Sequence, residues 1–197
     1  MKKEEITDAL LALLVLLATA ALLAALVKFR RDGLLFWGLL LFAVPSVAAF
    51  ILGVPFVPVP AGAARKMLEA AELKPGETVY DLGCGDGRIV HLAAREYGAK
   101  GVGVELSPIM YLLARARGAL RGPGAEIRLG DFRNQDLSGA DVVCCYLNAK
   151  TMAALRDKLL RELKPGARVV SCVYRIPDWQ ETRSESYEGV SILVYKK

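Results

Sequence analysis

The sequence predicts an α/β domain built on a mostly parallel sheet, preceded by a helical membrane anchor. Three observations predict it. From residue 77 onward, short β-rich runs alternate with helix-period stretches, the pattern of a sheet covered by helices on both faces. A glycine-rich turn, Asp81-Leu82-Gly83-Cys84-Gly85-Asp86-Gly87, joins the first run to the next helical stretch. The apolar excess of the chain, 54% hydrophobic residues with a mean hydropathy of +0.33, is gathered almost entirely in residues 1–54.

The N-terminal segment comes first. Ala9 to Val27 is apolar except for Thr19, and a helix over that span is roughly 28 Å long, about the thickness of the hydrocarbon core. Lys28-Phe29-Arg30-Arg31-Asp32-Gly33 forms a basic hinge, and Leu34 to Val54 then carries no charge. Residues 1–54 are expected to form a transmembrane hairpin, with helices over about 6–27 and 34–54. The hinge charges favour a single span with the hinge kept cytoplasmic, whereas 21 uncharged residues favour a second span. The lipid bilayer is thus an expected partner, with the folded domain facing the cytoplasm. Residues 55–60, Pro55-Phe56-Val57-Pro58-Val59-Pro60, alternate proline with other residues, which holds the chain extended and removes backbone donors.

The domain proper is expected over residues 61–197. Ala64, Met67, Leu68 and Ala71 mark one buried helical face over 61–73. Lys74-Pro75-Gly76 stops that helix, and the same Glu-Leu-Lys-Pro-Gly punctuation recurs at Glu162–Gly166. The predicted strands are Glu77–Leu82, Gly101–Glu105, Ala125–Leu129, Asp141–Tyr146, Ala167–Tyr174, Trp179–Ser186 and Val190–Lys196. Helices are predicted from Arg88 to Tyr97, from Ser107-Pro108 (an N-cap and first-turn pair) to about Leu120, and around Met152–Leu163. The last two strands read as an antiparallel hairpin at an edge.

Composition removes several function classes. The net charge of +5 is weak and no dense Lys/Arg run carries interleaved aromatics, so nucleic acid is not an expected partner. The four cysteines form no CxxC pair, and His91 is the only histidine; buried reduced thiols are expected, and no metal site. His91 is expected to face solvent, Arg115, Arg117 and Arg121 to form a solvated face, and Trp179 to anchor packing.

In folds of this type, ligands bind beyond the carboxyl ends of the strands. Four features fall there: the turn with Gly83, Cys84, Gly85 and Gly87; Glu105, 24 residues after Asp81; Gly130-Asp131; and Tyr146-Leu147-Asn148. No Gly-Lys-Ser/Thr follows the glycines, which excludes a P-loop. Asp81 just ahead of the turn repels a diphosphate and attracts a cation. The charge pattern therefore favours S-adenosylmethionine, which carries an ammonium, a sulfonium and no phosphate, over a nicotinamide dinucleotide.

Asp81–Gly87 resembles motif I of class I S-adenosylmethionine-dependent methyltransferases, with Glu105, Gly130-Asp131 and the Leu-Lys-Pro-Gly turn following in order. The resemblance implies a Rossmann-like, seven-stranded sheet with strands three to one on one side and four to seven on the other. It implies that Asp81 and the backbone of Gly83, Cys84, Gly85 and Gly87 hold the methionine part, Glu105 the ribose and Asp131 the adenine amino group. Over most of residues 54–180 the chain is similar to a protein-lysine methyltransferase family. Its members include an archaeal enzyme of broad specificity and the mitochondrial enzymes for the ATP synthase c-subunit and the adenine nucleotide translocase. That family's proline motif reads close to Pro-Tyr-Val-Pro-Thr-Pro; here Phe56 and Val59 replace its two hydroxyl residues. By this resemblance Phe56, Val57 and Pro58 are expected to contact the substrate lysine, and the substrate is a protein, here a membrane protein. Tyr146 and Asn148 are the candidates facing the acceptor amine, with Asn148 equally placed to cap the helix that follows. A methyltransferase for a membrane-soluble small molecule or lipid, and a non-catalytic S-adenosylmethionine-binding membrane protein, stand as alternatives.

Overall fold

A computed structural model describes residues 33, 37, 38, 40, 58–121 and 124–197. The chain divides into two compact units, Met1–Ala43 and Val44–Lys197, and the second holds all the elements that follow. The helices expected over about 6–27 and 34–54 lie outside the described residues, save for Trp37, Gly38 and Leu40, which are helical. Among the described residues, no helix is long and apolar enough to cross a membrane.

The elements run α1 (Ala61–Ala70), β1 (Thr78–Leu82), α2 (Arg88–Tyr97), β2 (Lys100–Glu105), α3 (Pro108–Arg121) and β3 (Glu126–Leu129). A short 3-10 helix (Phe132–Asn134) follows, then β4 (Val142–Cys145), α4 (Ala149–Glu162), β5 (Arg168–Cys172), β6 (Arg183–Tyr187) and β7 (Val190–Lys196). The seven strands are ordered β3-β2-β1-β4-β5-β7-β6. β1 to β5 pair in parallel, and β7 pairs antiparallel with both β5 and β6. This is the expected order, with the closing hairpin at one edge.

Alternation along the strands builds two cores. Val79, Cys144, Val170 and Ile192 point toward α1 and α2, where they meet Met67, Leu68 and Ile89. Leu82, Val104, Val143 and Val169 point the other way, onto Met152, Leu155 and Leu159 of α4. All four cysteines are free and buried, as the composition predicted.

The differences from the sequence reading have local causes. α1 stops at Ala70 rather than residue 73, because Glu72 adopts φ +51, a conformation that ends a helix. β6 begins at Arg183 rather than Trp179. Asp178 has φ +52 and Trp179 turns in to pack on Tyr195, ring centroids 5.6 Å apart, so the chain is not extended there. His91 does not face solvent. It is 2% exposed, its Nδ1 accepts from the Ala125 N–H at 3.1 Å, and its Nε2 lies 2.9 Å from the Ala114 carbonyl. An acceptor Nδ1 requires the proton on Nε2, so the ring is a neutral pin between α2, α3 and the start of β3.

Candidate active site

The centre of β1 pairs with β2 and β4 on its two sides, Asp81 standing opposite Gly103 and Cys144. The strand then breaks into the glycine turn. Gly83, Gly85 and Gly87 have φ +79, +55 and +72, values that residues with a Cβ rarely adopt. A Cβ on Gly103 would lie 2.7 Å from Cys84 Sγ, so this glycine lets the turn fold down over β2.

The turn's own hydrogen bonds decide what it can hold. The N–H groups of Gly83 and Cys84 both donate to the Val104 carbonyl at 2.9 and 3.0 Å, and that of Gly87 donates to the Cys84 carbonyl at 2.9 Å. The Gly85 N–H donates to Glu105 Oε2 at 2.8 Å. Four donors of the turn are therefore spent inside the protein. The expectation that the backbone of Gly83, Cys84, Gly85 and Gly87 grips a ligand changes accordingly: the turn offers close approach and carbonyl oxygens, which suit a cation. The start of α2 is occupied too. The Arg88 N–H donates to Asp86 Oδ1 at 3.2 Å, so a carboxylate of the chain sits where a phosphate would bind a helix N-terminus.

Three acids converge here and differ in their partners. Glu105 is 9% exposed and accepts one backbone N–H on each oxygen, from Gly85 and from Ser107 at 2.7 Å. Asp86 is 8% exposed and lies between two guanidinium groups, Arg88 at 2.8 Å and Arg117 at 2.6 Å. Hydrogen bonding to Arg88 and the charges of both arginines hold its carboxyl below the usual range, against the upward pull of burial. Asp81 is 3% exposed and accepts no hydrogen bond from any described residue. Burial first, then the charges of Glu105 and Asp86, push its pKa up to about 8. A buried carboxylate without a donor is costly, and a cationic group on a ligand relieves it.

The remaining site residues stand at the carboxyl edge, each with a local partner. Asp131 follows β3, caps the 3-10 helix through the Arg133 N–H at 2.9 Å and pairs with the Arg133 guanidinium at 2.7 Å. Asn148 caps α4, its Oδ1 accepting from the Thr151 N–H at 2.8 Å, so the capping alternative is realised. Tyr146 is half-buried on the α1/α2 side of the sheet, against the same core cluster as Val59; burial, then Cys172 and Tyr174, raise its pKa, which keeps the phenol neutral. Phe56 and Val57 lie outside the described residues, whereas Pro58 is exposed and Val59 is buried at 5%.

Sequence reasoning missed Asp86, Arg88 and Arg117. Arg88 donates to both oxygens of Asp86 and also to the Val59 carbonyl, which ties the proline segment to the glycine turn. Arg117 was expected on a solvated face and instead closes the ion pair with Asp86. The Asp-Gly-Arg sequence at 86–88 is a signal for the first pair. Nothing local marks Arg117, 31 residues further on.

Known proteins are similar to this chain over most of its folded domain. The model of the ANTKMT methyltransferase domain matches residues 81–183. A protein-lysine N-methyltransferase from Saccharolobus islandicus is 41% identical over 134 residues, 66% of this chain and 83% of that protein. The adenine nucleotide translocase lysine N-methyltransferase of Mus musculus is 37% identical over 147 residues, 73% of this chain and 63% of its own length. Among solved structures, a Salinibacter ruber protein described as an RNA methyltransferase, in complex with S-adenosyl-L-homocysteine, matches with TM-score 0.70 and 38% identity, covering 71% of this chain and 93% of that one. A Rossmann-like seven-stranded sheet, a glycine turn following β1 and a family match over residues 81–183 agree: the chain belongs to the ANTKMT methyltransferase domain family and is an S-adenosylmethionine-dependent methyltransferase.

Proposed function

We propose that the chain is a protein-lysine N-methyltransferase, held at a membrane by residues 1–54 with its domain on the cytoplasmic side, and that its substrate is a membrane protein. The observation that carries the site reading is Asp81: a buried carboxylate with no donor among the described residues, under a turn whose own donors are spent. Lysine as acceptor is supported by the two relatives named as lysine N-methyltransferases. The membrane setting is supported by two long apolar runs, Ala9–Val27 and Leu34–Val54.

S-adenosylmethionine supplies an electrophilic methyl group on a sulfonium. Asp81 balances the cationic methionine end, Glu105 faces the ribose and Asp131 the adenine. Phe56, Val57 and Pro58 wall the approach of the lysine, and Tyr146 and Asn148 border the acceptor nitrogen. A free lysine has a pKa of roughly 10.4 and is protonated at neutral pH. Desolvation of the amine at the acceptor site favours loss of its proton to water. The nitrogen lone pair then forms the N–C bond as the C–S bond breaks. The electron pair stays on sulfur, and the products are methyl-lysine and S-adenosylhomocysteine. Asn148, fixed by its bond to Thr151, and Tyr146, kept as a neutral phenol, orient the amine; positioning supplies most of what such a transfer needs.

The Salinibacter ruber neighbour, described as acting on RNA, is the reason for a second reading in which the acceptor is RNA. Purified full-length chain is incubated with methyl-labelled S-adenosylmethionine, membranes and total RNA. Label in protein, as methyl-lysine after hydrolysis, is expected. Label in RNA or in lipid alone overturns the lysine assignment. Equal labelling by Asp81→Ala overturns the cofactor site.

A further inference from the structure

Helix α3 is packed the wrong way round for a helix of a water-surrounded domain. Its buried side is made of small residues: Ala114 is fully buried, and a Cβ on Gly118 would lie 2.7 Å from the His91 ring. Its large aliphatic residues point outward. Ile109, Leu112, Leu113 and Leu120 are 42, 51, 50 and 85% exposed. With Ala116, also exposed, they recur at i, i+3, i+4, i+7 and i+11, one continuous stripe along the helix. Leu129, at the end of β3, is likewise 53% exposed. A contiguous apolar stripe of this kind marks a surface that is covered.

Charge selects the cover. Between Leu106 and Ala125 the chain holds three arginines and no acid. Arg117 is turned inward onto Asp86, whereas Arg115 is exposed beside the stripe. A second copy of α3 laid on the first would set arginines against arginines with no carboxylate on either helix to pair them. An aliphatic face with arginine at its margin fits an anionic bilayer surface, where the aliphatic residues enter the acyl boundary and the guanidinium groups meet phosphates. The chain also carries two uncharged runs in its first 54 residues.

We infer that the outer face of α3, Ile109, Leu112, Leu113, Ala116 and Leu120, rests on the surface of an anionic lipid bilayer and orients the methyltransferase domain on it. This rests on the membrane-held reading above and adds to it. α3 begins just after Glu105, at the carboxyl edge of the sheet, so a bilayer touching Ile109 and Leu112 lies beside the cofactor site. The acceptor lysine is then presented at or near the membrane surface rather than deep in solvent.

The test uses full-length protein reconstituted with phosphatidylcholine–phosphatidylglycerol vesicles that carry a quencher on the lipid acyl chain. A fluorophore is attached at Leu113→Cys, at Leu120→Cys or, as control, at Asp157→Cys on α4, whose side chain is 81% exposed. The wild-type chain, with its four cysteines buried, gives the labelling background, and binding of S-adenosylmethionine reports that each variant is folded. Quenching several-fold stronger at 113 and 120 than at 157 is expected. If the chain floats with vesicles but all three sites are quenched alike, the docking face is wrong while the anchor stands. If the chain does not float with vesicles, anchor and docking face both fall. If 113 is shielded from lipid but cross-links to itself, the cover is a second copy and the proposal is overturned.

Discussion

The pKa of Asp81, pushed up to about 8 by burial and by Glu105 and Asp86, gives S-adenosylmethionine binding a pH dependence that can be worked out. At neutral pH the ligand-free site holds mostly a protonated, neutral Asp81. A ligand that brings a cation to this carboxyl binds the ionised form, so binding expels a proton. Apparent affinity then scales as the ionised fraction, and between pH 7.5 and pH 6 it falls about 20-fold, about 1.8 kcal/mol. This window lies well above the ordinary titration of exposed carboxylates. The assay is isothermal titration calorimetry at pH 6, 6.5, 7 and 7.5, in paired buffers of different ionisation enthalpy, which counts protons released per ligand bound. Nearly one proton is expected at pH 6. Asp81→Asn should bind more weakly at pH 7.5 and show little slope. A wild-type Kd constant within about twofold over that range, with no proton release, refutes the assignment of Asp81 as the ligand's counter-charge. The stability of the ligand-free protein follows with a definite sign. A folded-state carboxyl pKa above its unfolded value favours folding fully below roughly pH 3.9 and loses that contribution as pH rises through about 8. Stabilisation by S-adenosylmethionine should therefore grow from pH 6 to 7.5 in thermal melts.

Three further outcomes are expected. Arg88→Lys retains the charge against Asp86 but cannot span Asp86 and the Val59 carbonyl; losing one hydrogen bond of about 1 kcal/mol should raise the acceptor KM about fivefold, with the Kd for S-adenosylmethionine nearly unchanged in calorimetry. His91 is held neutral, its pKa lowered chiefly by burial; its contribution to stability is intact above the unfolded value of roughly 6.5 and lost as pH falls below it, so urea titrations of wild type should weaken from pH 7 to 5 more than those of His91→Ala. Asn148→Ala removes the cap on Thr151 and should cost about 1 kcal/mol in urea denaturation, while a drop in kcat beyond that seen for a cap variant at another helix would place the amide at the amine.

The sheet was legible because its determinants are local. Strand runs, the repeated Lys-Pro-Gly turns and the glycine spacing each act over a few residues, and the order β3-β2-β1-β4-β5-β7-β6 follows from right-handed crossovers and one closing hairpin. The positions of Asp81 and Glu105 in the fold were legible for the same reason: each lies in the last two residues of a recognisable strand. What escaped the sequence acts across distance. His91 is buried because Gly87, Gly118 and Gly124 leave room for its ring, and no window around residue 91 contains all three. The same holds for Arg117, which reaches Asp86 from another helix. What the turn's backbone can offer a ligand was not legible, because glycine spacing reports that the backbone can approach a ligand, not whether its N–H groups are already used. Only the bonds to Val104, Cys84 and Glu105 settle that.

Those bonds also explain why three buried acids can share one edge of the sheet. Asp86 is compensated by Arg88 and Arg117, and the cluster they form carries the Val59 carbonyl with it. Glu105 is held by two backbone N–H groups, one on each oxygen, which fix it in place without adding a full positive charge. With these two acids held in place, Asp81 bears the repulsion of both and has no donor among the described residues. The site is thus short of positive charge at one carboxyl, at the end of β1, and a dinucleotide would aggravate that deficit while a sulfonium with an ammonium removes it. On the proposed reading of Asp81, specificity for the cofactor follows from what the protein leaves uncompensated as much as from what it contributes. Adding a compensating donor inside the protein should test this directly: a side chain at Gly103 would collide with Cys84, but Cys144→Asn, next to Asp81 in the ladder, can offer the missing hydrogen bond. Such a variant should lower the Asp81 pKa, flatten the pH slope of binding and weaken S-adenosylmethionine. A variant that binds the cofactor as tightly and as pH-dependently as wild type would show that the unpaired carboxylate is not what the cofactor answers.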